Sequence, residues 1–304
     1  MLIYFIRVGA IEYKKGGNYM EYRSLTDTTT KCMHEAFLQA FSDYQVPMNL
    51  SLETFERKLK RNGFKPELSA GAFEHDRLVG FVLNGVREWT GEKTIYDTGT
   101  GVVPEFRGAG IGNRLLNLVN ELCVRNNISV YQLEVIQDNV GAVSLYKKQG
   151  FQVKRSLNCY RLSEKLVGGS TNTRWKLYRA EKMDKGLWNL AKSFWEYIPS
   201  WQNGEDAVCA VEDAFGYTLV ELEGALIGYG IVDKVTGEIA QLAVDCHYRR
   251  RGVATAILQD LQRQTQKSSL TVINVDERDE SLNAFLKQMG FQVYVTQYEM
   301  VKAI

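Results

Sequence analysis

The apolar positions change period along the chain, and each change marks an element. Residues 21–25 read as a strand, and apolar residues at 33, 36, 37, 40 and 41 then recur with helical spacing, with Thr26 and Asp27 available as caps. Asp43-Tyr44-Gln45-Val46-Pro47 breaks that helix, because proline removes a donor and restricts the residue before it. A second helix is predicted over 51–62, two strands over 68–74 and 78–86 around the turn His75-Asp76-Arg77, and a further strand from 93 or 94 to 103. A glycine-bearing turn follows, then a helix with apolar positions 111, 115, 118, 119 and 122. A strand over 129–136, a helix over 142–149 ended by Gly150, and a strand over 151–162 complete this half.

The turn, Val102-Val103-Pro104-Glu105-Phe106-Arg107-Gly108-Ala109-Gly110-Ile111-Gly112, is where chemistry is expected. Its glycines permit left-handed backbone and close approach of a ligand. The helix that follows opens with amides lacking intrahelical acceptors, which suits a phosphate or pyrophosphate. Arg107 is expected to add charge at the mouth of that nest. The segment lacks the Lys-Ser/Thr ending of a P-loop and the spacing of a dinucleotide fingerprint.

Arg107-x-x-Gly110-x-Gly112 instead resembles the coenzyme-A pyrophosphate loop of the GNAT acyltransferases. The run Leu133 to Phe151, with Asn139, Ala142, Tyr146 and the closing Gly150-Phe151, resembles the family's downstream motif, and the order of elements matches as well. The resemblance implies an α/β fold with a mixed central sheet flanked by helices, and acetyl-CoA as donor. It implies a cofactor site over Val102, Val103, Arg107, Gly108, Ala109, Gly110, Ile111 and Gly112, with the backbone amides of Arg107, Gly108, Gly110, Ile111 and Gly112 cradling the pyrophosphate. It further implies that Asn139 bonds the pantetheine arm or braces its loop, and that Tyr146 donates a proton to the departing thiolate. An attacking alkylammonium must first lose a proton, so a carboxylate is needed. Asp97 and Glu134 are the candidates, with Glu88 and Glu92 near Trp89 as others; Tyr44, Trp89 and the junction of the first two helices are expected to wall the acceptor.

The second half repeats the first. Leu226-Ile227-Gly228-Tyr229 echoes Leu78-Val79-Gly80-Phe81, and Arg249-x-x-Gly252-x-Ala254 repeats the loop 142 residues on. A helical tract near 188–195 precedes the repeated loop, and a final helix over 281–289 leads to Gly290-Phe291, which suggests an ungapped repeat. The expected fold is thus two tandem GNAT folds. In the second, Leu286 stands for Tyr146 and Asp279 for Asn139, while Glu238 matches the family's base position and the Arg249-Arg250-Arg251 cluster is expected at phosphates. Catalysis is therefore expected in the first half, with the second partly degenerate.

Composition narrows the function further. The 304 residues carry 37 basic and 36 acidic side chains, so a net charge of +1 offers no field for nucleic acid or an anionic membrane. The apolar run Leu2 to Ile6 is too short to span a bilayer. Five scattered cysteines and three histidines show no metal-ligand spacing, and point to a reducing, cytoplasmic setting without a structural metal. Lys14 to Met20 is the kind of peptide that a purine-rich bacterial ribosome-binding site would encode, which makes 1–19 an expected leader before a native start at Met20. The expected organisation is a catalytic domain over 20–162, a linker or hairpin loop over 163–173 and a second domain over 174–304. The expected activity is N-acetylation of a small-molecule amine or an exposed peptide or lysine amine, by a monomer or homodimer. The alternative is a non-catalytic acyl-CoA-binding regulatory or interaction protein.

Overall fold

A computed structural model describes residues 11–15, 18–43, 48–166 and 174–304. Tyr44, the Gln45–Pro47 break and the glycine-rich 168–172 segment lie outside the described residues, as does much of the expected leader. The chain divides into two compact units, which are interleaved in sequence. The first holds residues up to 135, 139–153 and 300–304, and the second holds 136–138 and 154–299.

In the first unit, β1 (Ile11–Lys15) and β2 (Asn18–Ser24) pair antiparallel. Helix α1 (Thr30–Ala40) starts later than Thr26-Asp27 predicts, because the Thr29 side chain takes the Cys32 N–H and caps it there. Ser51 caps α2 (Leu52–Arg61) in the same way. Strands β3 (Ala70–Glu74), β4 (Arg77–Trp89) and β5 (Glu92–Val102) continue the sheet antiparallel. After α3 (Ile111–Arg125), β6 (Val130–Ile136) lies parallel to β5, and α4 (Val140–Lys148) follows. Phe37, Phe55 and Phe81 centre the core on the α1–α2 side of the sheet. Residues 300–304 complete this unit: Met300 is fully buried, Lys302 donates to Asn120 and the Ile304 N–H donates to Ser129.

Two features of β5 fix the site. It pairs with β6 over Thr94↔Val130, Ile95↔Tyr131, Tyr96↔Gln132 and Asp97↔Leu133, and the register ends there, so Asp97 stands where the strands part. Against β4 the register slips, with Leu83 opposite Gly99 but Asn84 opposite Asp97, which makes Thr98 the extra residue of a bulge. Leu83 packs in the α1–α2 core, so Asn84 and Asp97 face the other way, and Tyr96 shares the α1–α2 face.

In the second unit, β7 (Gln152–Leu162) contributes residues from 154 onward and pairs antiparallel with β12 (Leu270–Asp276). That pairing draws 154–162, expected in the first domain, into the second unit. Strand β8 (Lys176–Ala180) pairs with β9 (Phe215–Leu222), and α5 (Lys185–Lys192) and α6 (Glu205–Cys209) lie between them in sequence. Helix α5 begins before the predicted tract because Asp184 caps it through the Leu187 N–H. Then come β10 (Ala225–Asp233), β11 (Glu238–Val244), α7 (Val253–Gln264), α8 (Glu280–Gln288) and β13 (Gln292–Ala303). The repeat is not ungapped: Gly110 to Gly252 is 142 residues but Gly150 to Gly290 is 140, and α7 has 12 residues where α3 has 15.

Candidate functional site

The glycine-bearing turn of the first unit folds as a single 3-10 turn, Pro104–Phe106, followed by left-handed Gly108 (φ 78°) and Gly110 (φ 77°). A Cβ at either position would meet no atom within 4 Å, so the space in front of the turn is open. Gly110 is the N-cap of α3 and offers no side-chain acceptor, which leaves the amides of Ile111, Gly112 and Asn113 aimed outward. Ala109 lies between the two left-handed glycines, and the Val103 N–H is held by the Val79 carbonyl, which fixes the turn on β4.

Arg107 does not serve as expected. Its Nε donates to the Val102 carbonyl at 3.0 Å, its terminal nitrogens take Asp43 at 2.7 and 2.8 Å, and one also takes the Ala40 carbonyl at 2.9 Å. Asp43 holds the guanidinium's pKa above its ordinary value, and Arg107 in turn lowers that of Asp43. The backbone N–H of Arg107 is engaged as well, donating to Pro104. The side chain therefore latches the turn to the end of α1 and leaves the nest to backbone amides. The second unit repeats the latch: Arg249 Nε donates to Val244 at 3.0 Å and its terminal nitrogens to Glu196 and the Phe194 carbonyl. Arg250 reaches Gln288 and Arg251 lies over Tyr248, so the triplet is spent on intramolecular contacts instead of a phosphate cluster.

Where β5 and β6 part, Asp97 and Tyr146 meet. Both are buried, each only 6% exposed, and the Tyr146 hydroxyl donates to Asp97 Oδ2 at 3.3 Å. Oδ2 also accepts from Thr100 at 2.6 Å, and Oδ1 accepts from the Gly99 N–H at 2.8 Å. Burial pushes the Asp97 carboxyl up to about 6, although its three hydrogen bonds pull the other way. Phe151 packs edge-on against Tyr146 and sets its ring, and Tyr131 donates to Asn84 on the same face. Thr100 and the Thr98 bulge were not singled out from sequence; a Thr three residues after an acid carries no distinguishing signal.

Glu134 occupies the opposite face, where its Oε2 accepts from Tyr96 at 2.8 Å. Asn139 caps α4, its Oδ1 accepting from the Ala142 N–H at 3.1 Å. Glu88, Trp89 and Glu92 lie at the β4–β5 hairpin tip, five strand residues or about 17 Å from Asp97, so they stand away from the site. His34 is bound to the Leu50 carbonyl, and burial pushes the Cys123 thiol up to about 12, which makes it inert.

The second unit differs at the equivalent place. Strands β11 and β12 pair at only Glu238↔Thr271 and Ile239↔Val272 before parting. Leu286 is fully buried where Tyr146 stands in the first unit, and Asp279 caps α8 as Asn139 caps α4. A cavity of about 620 Å³ opens there, lined by β11, β12, α8, the turn before α7 and the 194–203 segment. Gln241 and Asn203 bridge it, through Gln241 to the Asn203 carbonyl and Asn203 to the Ile273 carbonyl. No helix among the described residues is long and apolar enough to cross a membrane.

Comparison with known proteins agrees with this architecture. The chain is 27% identical over 121 residues to Acetyltransferase ECA0875 of Pectobacterium atrosepticum, covering 40% of this chain and 79% of that one. It is 38% identical over 64 residues to a thialysine N-epsilon-acetyltransferase of Mus musculus, which is 21% of this chain and only 37% of the mouse protein. Among solved structures, a tandem GNAT protein from the clavulanic acid biosynthesis pathway superposes with a TM-score of 0.72 at 16% identity, covering 93% of this chain and 98% of that one. A GCN5-related N-acetyltransferase of Sphaerobacter thermophilus gives 0.70 at 15% identity, over 93% and 95% of the two chains. At such identities the likeness speaks for the fold. The model of the acetyltransferase (GNAT) family matches twice, over residues 29–151 and 175–291, and the chain therefore belongs to the GNAT family, as a tandem member carrying the fold in each half.

Proposed function

We propose that the first unit transfers an acetyl group from acetyl-CoA to a primary amine by direct attack. The observation that carries this reading is the buried Tyr146 hydroxyl at the point where β5 and β6 part, beside an open nest of backbone amides. The pyrophosphate is held by the Gly108–Gly112 backbone and the α3 N-terminus, where the macrodipole adds to the amides. The nitrogen lone pair attacks the thioester carbonyl, the C–S bond breaks, and Tyr146 protonates the leaving sulfur. Glu134 is the base. It lies on the α1–α2 face beside Tyr96, while Asp97 faces away from it and already accepts three hydrogen bonds.

The mouse relative makes thialysine and lysine the first acceptors to assay. The test is calorimetric titration with acetyl-CoA of the wild type, Gly110→Ala and Gly252→Ala, followed by an amine screen with Tyr146→Phe as control. Binding lost with the Gly110 change and turnover lost with Tyr146→Phe are the expected results; no binding by the wild type would refute the reading. A second reading, acyl-CoA binding without turnover in the second unit, is favoured by the cavity of about 620 Å³ and by Leu286, which has no proton to give. Binding lost with Gly252→Ala would support it.

A further inference from the structure

The contact between Tyr146 and Asp97 has a consequence for the leaving group. The phenol donates its proton to Asp97 Oδ2 at 3.3 Å, so that proton is already engaged. If Tyr146 gave its proton to a thiolate beside an ionised Asp97, a phenolate and a carboxylate would stand side by side in a site where both side chains are 94% covered. Like charges so placed in a low dielectric are strongly disfavoured. A protonated Asp97 removes the conflict: it donates to the phenol oxygen and turns the phenol proton toward the sulfur. Burial already holds this carboxyl up to about 6, so the acid form is within reach. Thr100 and the Gly99 N–H fix the carboxyl plane while this happens.

Resting on the acetyl-transfer reading above, we propose that Asp97 is the second donor of a two-proton relay, passing its proton to Tyr146 as Tyr146 passes its own to the departing CoA sulfur. The C–N bond forms from the amine lone pair and the C–S bond breaks with its electron pair going to sulfur. The Tyr146 O–H proton moves to sulfur and the Asp97 Oδ2 proton moves to the Tyr146 oxygen, so the phenol is restored in the same step and Asp97 is left as carboxylate. An alkylammonium loses two protons in becoming an amide N–H. Both leave through Glu134 to water, and water returns one to Asp97 between turnovers, which balances one CoA thiol and one released proton.

The experiment compares Asp97→Asn, Tyr146→Phe and the double variant in steady-state acetyl transfer. The relay predicts that each single change lowers kcat by about 10²-fold, with KM for acetyl-CoA little moved. It also predicts that the double variant is no slower than the slower single one, and that the solvent isotope effect of the wild type disappears in both. Infrared titration of the same proteins reads the pair without turnover: the carboxylic-acid band lost in Asp97→Asn should shift in Tyr146→Phe. Multiplying losses in the double variant, or a band indifferent to Tyr146, overturns the relay alone. A wild type that transfers no acetyl group to any amine overturns it together with the reading it rests on.

Discussion

Replacing Asp97 by Asn should make the protein's stability less sensitive to pH, and the size of the effect can be worked from the site. Asp97 has an ordinary pKa of 3.8 and a folded value of about 6, raised chiefly by burial. A carboxyl raised on folding binds its proton more tightly in the native state, so its stabilising contribution is complete below the unfolded pKa and is lost as pH rises through the folded one. The full span, about two pH units, corresponds to about 3 kcal/mol, and somewhat under half of it falls between about pH 5 and about pH 8. Asparagine is neutral throughout and keeps an oxygen for the Gly99 N–H, while its amide nitrogen stands in for Oδ2 beside Thr100 and Tyr146, a change whose cost does not vary with pH. The stability difference between wild type and Asp97→Asn should therefore move by about 1 kcal/mol in favour of the variant between those two pH values. Urea unfolding of both proteins at each pH measures it, through the transition that Asp97→Asn shifts. A difference that is flat with pH, or that moves in favour of the wild type as pH rises, would refute the picture of a carboxyl made costly by burial.

Other changes test other parts of the fold. Gly110→Ala places a side chain in left-handed backbone, and calorimetry should show acetyl-CoA binding weakened while thermal unfolding shows a cost of about 1 kcal/mol. Gly85→Ala sets a Cβ 1.9 Å from the Asn62 carbonyl oxygen, so α2 must be displaced from β4; a loss of about 3 kcal/mol or more is expected in urea unfolding. Deleting residues 300–304 removes fully buried Met300 and the bonds to Asn120 and Ser129, and hydrogen exchange should show faster opening of α3 and β6 while β9 and β10 keep their protection.

The features legible in the sequence are those written in short-range pattern. Helical spacing located α3, alternation and turn residues located β3 and β4, and the Gly110 and Gly252 turns announced the repeated fold. The bulge at Thr98 was not legible, because an extra residue in a strand leaves composition unchanged while it reverses which face every later residue takes. That reversal sets Asp97 on the face opposite to the one that strict alternation back from residues 99–102 gives it, while Glu134 joins Tyr96 through the β5–β6 register. Arg107 was misjudged for a related reason: a guanidinium near a phosphate nest reads as a ligand, and its partner Asp43 is 64 residues away. The membership of 154–162 in the second unit rests on pairing with β12, more than a hundred residues on, which no local period encodes.

The interleaving of the two units sets a schedule for synthesis. Residues 300–304 belong to the first unit, yet roughly 150 residues separate them from the rest of it. At about 5–20 residues per second, a ribosome leaves the first unit waiting for its closing segment for roughly 7–30 s. During that interval the β6 side of its sheet lacks the stretch that ends beside Ser129, and an uncovered strand edge is a template for pairing with another chain. The nascent protein thus has a window of exposure that the finished one does not, and residues 300–304 close it.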